Sequence, residues 1–101
     1  MNYQLKYDPR ALEDTKLILS QLSELDLKLA QKFRSTLAQL LDELDGHPER
    51  WKPMGLPIRR AQLKLTPGLW YYVDYRFSES EGEIHIIQII NQKANPNKWR
   101  S

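Results

Sequence analysis

The 101 residues contain no cysteine. A disulfide framework and a thiolate zinc site are therefore both excluded. The same lack suits a reducing compartment, and the cytoplasm is the expected location. No apolar run approaches the roughly 18 to 20 residues that a membrane span needs. The opening "MNYQLKYDPR" has no apolar segment of the secretory type, so no membrane association is expected. Glycine-rich phosphate loops and nucleophile elbows are missing too. Only two histidines occur, His47 and His85. They sit far apart in the chain, so neither a metal nor any other cofactor is expected. No residues pair up as an obvious acid and base.

What is present is an ordinary globular composition, with 41% hydrophobic and 28% charged residues. The length fits one domain over residues 1–101. Net charge is only +2, but it is unevenly spread. Residues 1–50 carry seven Lys/Arg against nine Asp/Glu, and residues 51–101 carry eight against four. Any polyanion would meet the second half. The alternative is a solvated surface with chance asymmetry.

Hydrophobic spacing predicts the elements. "YQLKY" (3–7) alternates as a short strand with one apolar face. Asp8 and Pro9 then suit the cap and first position of a helix. Ala11, Leu12, Thr15, Ile18, Leu19 and Leu22 recur at helical spacing. "SELD" (23–26) is a tight joint offering Ser23 or Asp26 as the next cap. Leu29, Ala30, Phe33, Leu37, Leu40, Leu41 and Leu44 make a second stripe over about 27–44, ending near Gly46 and Pro48. The segment "GHPERWKPMGLPI" (46–58) holds three prolines and two glycines and reads as a loop.

After it the period becomes two. "RRAQLKL" (59–65) places Ala61, Leu63 and Leu65 opposite Arg60, Gln62 and Lys64. "LWYYVDYRF" (69–77) places Leu69, Tyr71, Val73, Tyr75 and Phe77 opposite Trp70, Tyr72, Asp74 and Arg76. "TPG" and "SESEG" are the turns. "EIHIIQIINQ" (83–92) is apolar on both faces, as in a central strand covered on each side. The expected fold is α+β, in the order β-α-α-β-β-β. An antiparallel helix hairpin packs on one face of a mainly antiparallel four-stranded sheet.

The sheet's other face collects Arg60, Gln62, Lys64, Trp70, Tyr72 and Arg76 by parity. Lys93 follows the last strand, and Lys98, Trp99 and Arg100 lie in the tail. Clustered cations with aromatics match what an RNA backbone and an unstacked base require. Asp74 sits among them, so an ion pair with Arg76 or Lys64 is the structural alternative.

In order and spacing the chain resembles the RelE/ParE superfamily of type II toxin–antitoxin modules. The likeness runs through "YQLKYDPRALED" and is sharpest in "RRAQLKLTPGLWYYVDYRF". The resemblance implies ribosome-dependent, metal-free cleavage of mRNA. Lys64, Arg76, Lys93 and Tyr72 would be the catalytic set. Arg60, Gln62, Trp70, Lys98, Trp99 and Arg100 would contact RNA. The family's first meander strand carries lysines, of which only Lys64 has a counterpart charge here, Gln62 replacing the other. Tyr72 stands where an arginine is usual, and Trp99 where a tyrosine is usual. ParE-like members instead poison DNA gyrase, and a third class only binds its partner. Every variant of the resemblance implies a protein antitoxin. All of these expectations require Lys64, Arg76 and Lys93 to converge on one anion-binding hollow.

Overall fold

Two amphipathic stripes joined by a single residue dictate the packing. In a computed structural model, which describes residues 3–55 and 57–93, the first helix, α1, spans Pro9–Leu25 and the second, α2, spans Leu27–Gly46. Asp26 alone separates them, and its carboxylate caps α2 by accepting from the Lys28 backbone N–H at 2.9 Å. Ser23 therefore lies inside α1 rather than at a cap. Asp8 occupies the N-cap position of α1 but makes no side-chain capping bond. Its backbone N–H instead donates to the Ile86 carbonyl at 2.9 Å, continuing the sheet into the helix start.

The strands are β1 (Gln4–Tyr7), β2 (Pro53–Gly55), β3 (Ile58–Thr66), β4 (Leu69–Ser78) and β5 (Glu83–Asn91). They form one sheet in the order β1-β5-β4-β3-β2. Only the β1–β5 pair is parallel, and the others are antiparallel. The sheet thus has five strands where the sequence predicts four. The added one, β2, is three residues at the edge beside β3, within the proline-rich segment. Gly82 turns β4 into β5 with φ 66°, a conformation that favours glycine.

One face of the sheet carries the core. Ala61, Leu63 and Leu65 of β3, Tyr71, Val73 and Tyr75 of β4, and Ile84, Ile86 and Ile89 of β5 are all buried. They pack with Ala11, Ile18 and Leu22 of α1 and Ala30, Phe33, Leu37, Leu40 and Leu44 of α2. Helix α1 lies over β5, and α2 over β3. The step from Ile86 to Ile89 on the core face departs from strict alternation. A bulge shifts the β4–β5 register between Asp74 and Tyr75, so Asp74 pairs with Gln88 while Tyr75 pairs with Ile86. Ile87 is the extra residue, and Gln88 and Ile90 fall on the face opposite the core. That face is not covered by a helix among the described residues, contrary to the two-sided burial predicted for β5. Among the described residues, no helix is long and apolar enough to cross a membrane.

Two side chains fasten the proline-rich segment. Arg59 Nη1 donates to the Glu49 carbonyl at 3.1 Å and to the Trp51 carbonyl at 2.6 Å. The buried Tyr75 hydroxyl donates to the Pro48 carbonyl. Burial pushes the Tyr75 phenol up to about 12, against a smaller opposing pull from the Arg59 charge. Between about pH 10 and 12 the unfolded chain has lost this proton while the folded chain keeps it. Stability therefore falls as pH rises through that window. Tyr75→Phe is expected to lose about 1–3 kcal/mol at neutral pH, by stranding the Pro48 carbonyl. It should also show a shallower stability loss above pH 10 than the parent chain, as measured by urea unfolding across pH. A slope equal to the parent's would mean that Tyr75 ionises normally. Burial also raises Tyr7 and Tyr71, so some alkaline slope persists in the variant.

Candidate nucleic-acid interface

The open face is built in rows by strand register. Lys64 lies opposite Trp70. In the next row Gln62, Tyr72 and Ile90 stand side by side, followed by Arg60, Asp74 and Gln88. The last row holds Arg76, His85 and Lys6. Past the end of β5, the Gln92 N–H donates to the Trp70 carbonyl at 3.0 Å, and the Lys93 N–H donates to Asn91 Oδ1 at 2.8 Å. Lys64 stands at this end of the open face beside Trp70, and Lys93 lies in the turn just past β5, at the same end of the sheet. Two strand spacings set their backbones about 10 Å apart. Both residues are exposed.

Arg76 does not join them. It lies six residues along β4 from Trp70, which is roughly 20 Å at the rise of an extended strand. The expected single hollow is therefore not formed: Arg76 belongs to the opposite end of the face from Lys64. Lys98, Trp99 and Arg100 lie outside the described residues.

The middle of the face is a polar network. Arg60 Nε donates to Asp74 Oδ1 at 2.7 Å and Arg60 Nη2 to Asp74 Oδ2 at 3.0 Å. Gln88 Nε2 donates to Asp74 Oδ2 at 2.8 Å. Asp74 is 1% exposed and Gln88 4%. A buried carboxylate needs this degree of pairing. The partner of Asp74 is Arg60 and not Arg76 or Lys64, because register sets Arg60 directly across from it. The same guanidinium lies over the Tyr72 ring, 4.4 Å from its centroid. Tyr72 in turn meets Trp70 edge-on, with centroids 5.1 Å apart and planes at 71°. Guanidinium, phenol and indole form a continuous ladder of planar groups, face-on from Arg60 to Tyr72 and edge-on from Tyr72 to Trp70.

At the far end, Glu83 takes Lys6 Nζ at 3.0 Å and lies 2.9 Å from His85 Nε2. The hydrogen bond from Lys6, and secondly that from His85, holds the Glu83 carboxyl below its usual range. With Glu81, these groups are the one set of potential metal ligands found among the described residues, with donor atoms within 4.8 Å of one another. Lys6 already occupies Glu83, so a cation would enter only by displacing an ammonium ion. The arrangement acts as an ion-pair clip between β1 and β5.

Sequence parity put Arg60, Gln62, Lys64, Trp70, Tyr72 and Arg76 on one face, and the structure does so. It missed Gln88, which the bulge at Ile87 brings to the same face. The available signal was a lone amide in an isoleucine run, in line with a lone carboxylate in β4.

The model of the family described as "ParE toxin of type II toxin-antitoxin system, parDE" matches residues 5–96. No curated protein sequence matches the chain. Among solved structures, the fold is similar to a chromosomal ParDE toxin–antitoxin system from P. aeruginosa, with TM-score 0.69 and 18% identity over 88% of this chain and 95% of that one. It is similar to an E. coli RelE toxin mutant in the free state, with TM-score 0.67 and 23% identity over 94% and 88%. An archaeal RelE–RelB complex from Pyrococcus horikoshii OT3 gives TM-score 0.54 and 15% identity over 94% and 100%. At these identities the structures speak for the fold, and the family model, spanning nearly the whole sequence, speaks for descent: the chain belongs to the ParE toxin family of type II toxin–antitoxin systems.

Proposed function

We propose that this toxin is held inactive by a protein antitoxin and, when freed, engages mRNA on the ribosome through its open sheet face. The observation that carries the reading is the end of the open face where exposed Lys64 stands across from Trp70, with Tyr72 in the adjoining row and exposed Lys93 in the turn that follows β5. A phosphate between the two ammonium groups would have its charge stabilised from both sides. The adjacent 2′-hydroxyl would attack phosphorus, the bond to the 5′-oxygen would break, and a proton would pass to that oxygen. A lysine or the Tyr72 phenol can carry that proton. Trp70 can stack a base but cannot exchange a proton. Arg76 would hold a separate phosphate at the other end, and Gln62 and Arg60 would contact the strand between.

A second reading, inhibition of DNA gyrase without nuclease activity, is favoured by two observations. Arg76 lies roughly 20 Å from the lysine pair by strand rise. The Arg60 charge is matched by Asp74.

Induced expression separates the two readings. Under the first, amino-acid incorporation stops within minutes, and under the second, DNA-damage signalling and filamentation come first. Lys64→Ala with Lys93→Ala is expected to reduce mRNA cleavage by about a hundredfold or more, judging from the loss of single charge-stabilising donors elsewhere. Full cleavage by the folded double variant would exclude this end of the face as the site.

A further inference from the structure

Gln88 carries an acceptor that the fold leaves unused. Its Nε2 donates to Asp74 Oδ2. An ionised carboxylate only accepts, so the amide orientation is fixed and Oε1 must face away from Asp74. That oxygen is buried and has no hydrogen-bond partner among the described residues. Native interiors rarely leave such a group unsatisfied.

Its surroundings suit one kind of donor. Asp74 pairs with Gln88 and Tyr72 with Ile90, which puts Tyr72 diagonally across from Gln88 on the same face. Tyr72 is partly exposed and belongs to the planar ladder of Arg60 and Trp70. Access to the buried oxygen requires a neighbour on this face to move aside, and partly exposed Tyr72 is the aromatic neighbour that register sets beside it. Exposed Lys64 stands at the end of this ladder, with exposed Lys93 in the turn past β5, where a phosphate backbone would run.

We propose that Gln88 Oε1 is a specificity-determining acceptor in a nucleobase subsite. It receives an exocyclic amino hydrogen from a base stacked on Tyr72, with Trp70 edge-on beside it. Adenine, cytosine and guanine carry such an amine, and uracil does not. Asp74 is the positioning residue that fixes which end of the amide faces the base. The inference rests on the RNA-binding reading of the face and adds what the face selects.

The test removes the amine from the ligand and not only the acceptor from the protein. Labelled RNA oligonucleotides containing either adenosine or purine riboside, which lacks the 6-amino group, are titrated against the full chain by fluorescence polarisation. The expected result is about tenfold tighter binding of the adenosine oligonucleotide, the size of one hydrogen bond to an otherwise stranded acceptor. Gln88→Met should bring the two affinities together, while Lys64→Ala with Lys93→Ala should weaken both alike. The comparison of ligands on the parent chain stands even if Gln88→Met fails to fold. Equal binding of both oligonucleotides by the parent chain overturns the base subsite and leaves the RNA reading intact. Binding of neither overturns the base subsite, while the ribosome-dependent RNA reading is judged separately by the induced-expression assay. If Gln88→Met weakens antitoxin binding and leaves the RNA preference unchanged, the acceptor serves a protein contact and the inference falls.

Discussion

Asp74→Ala is expected to lower the stability of the folded chain by about 3–5 kcal/mol, as is usual when one member of a buried ion pair is removed. The carboxylate receives three hydrogen bonds, two from Arg60 and one from Gln88. Without it, the Arg60 guanidinium, whose side chain is only 14% exposed, loses its counter-charge. The Gln88 amide then has neither end paired. A domain of this size is held by roughly 5–15 kcal/mol in all, so the loss is a large share of the whole. Urea denaturation of the single variant measures it. The control is Arg60→Met, Asp74→Leu and Gln88→Leu together. Replacing all three with apolar groups of similar volume is often neutral or stabilising, so the triple variant should recover most of the loss. A change below about 1 kcal/mol for Asp74→Ala would mean that water solvates the pair and that burial at this row is not as described. The triple variant also separates folding from function, because it keeps the sheet while removing the guanidinium from Tyr72.

Phe33→Ala should be equally damaging, at about 3–5 kcal/mol, by a different route. Phe33 is fully buried in the middle of α2. Its ring meets the edge of Tyr71 on β4, with centroids 5.3 Å apart and planes at 75°. Truncation opens a cavity between helix and sheet and removes the aromatic pair. Leu27, on the same helix, is 63% exposed, and Leu27→Ala should cost within about 0.5 kcal/mol. The ratio of the two effects, read from unfolding midpoints at constant denaturant slope, tests the orientation of the helix. Comparable losses at the two positions would mean that α2 is rotated away from the sheet.

Much of this architecture is written in local periodicity. The stripe from Leu29 to Leu44 specifies α2, and its cap at Asp26 is legible because an aspartate directly precedes the apolar repeat. The alternation in "RRAQLKL" and "LWYYVDYRF" specifies both faces of β3 and β4. Three features escape such reading for physical reasons. Strand β2 is three residues containing a proline and a glycine, and its pairing with β3 is set by Arg59 gripping the preceding loop, not by any pattern. The bulge at Ile87 is hidden because isoleucines at 84, 86, 87, 89 and 90 satisfy either parity. Asp74 and Arg60 are fourteen residues apart in the chain, and register alone makes them neighbours. The same limit explains Arg76: parity gives the face a residue occupies, but distance along the strand decides which side chains it can act beside.

The parallel pairing of β1 with β5 sets the timing of the molecule's birth. Gln4 lies beside Glu83, and Tyr7 beside Ile86. The β1–β5 pair cannot close until residues 83–86 have cleared the ribosomal exit tunnel, and closing so long an intervening stretch carries an entropic penalty. During synthesis the helices can form early, while the final sheet register waits for the last strand. A protein that intercepts the strands before they join therefore has much of the interval of translation in which to act.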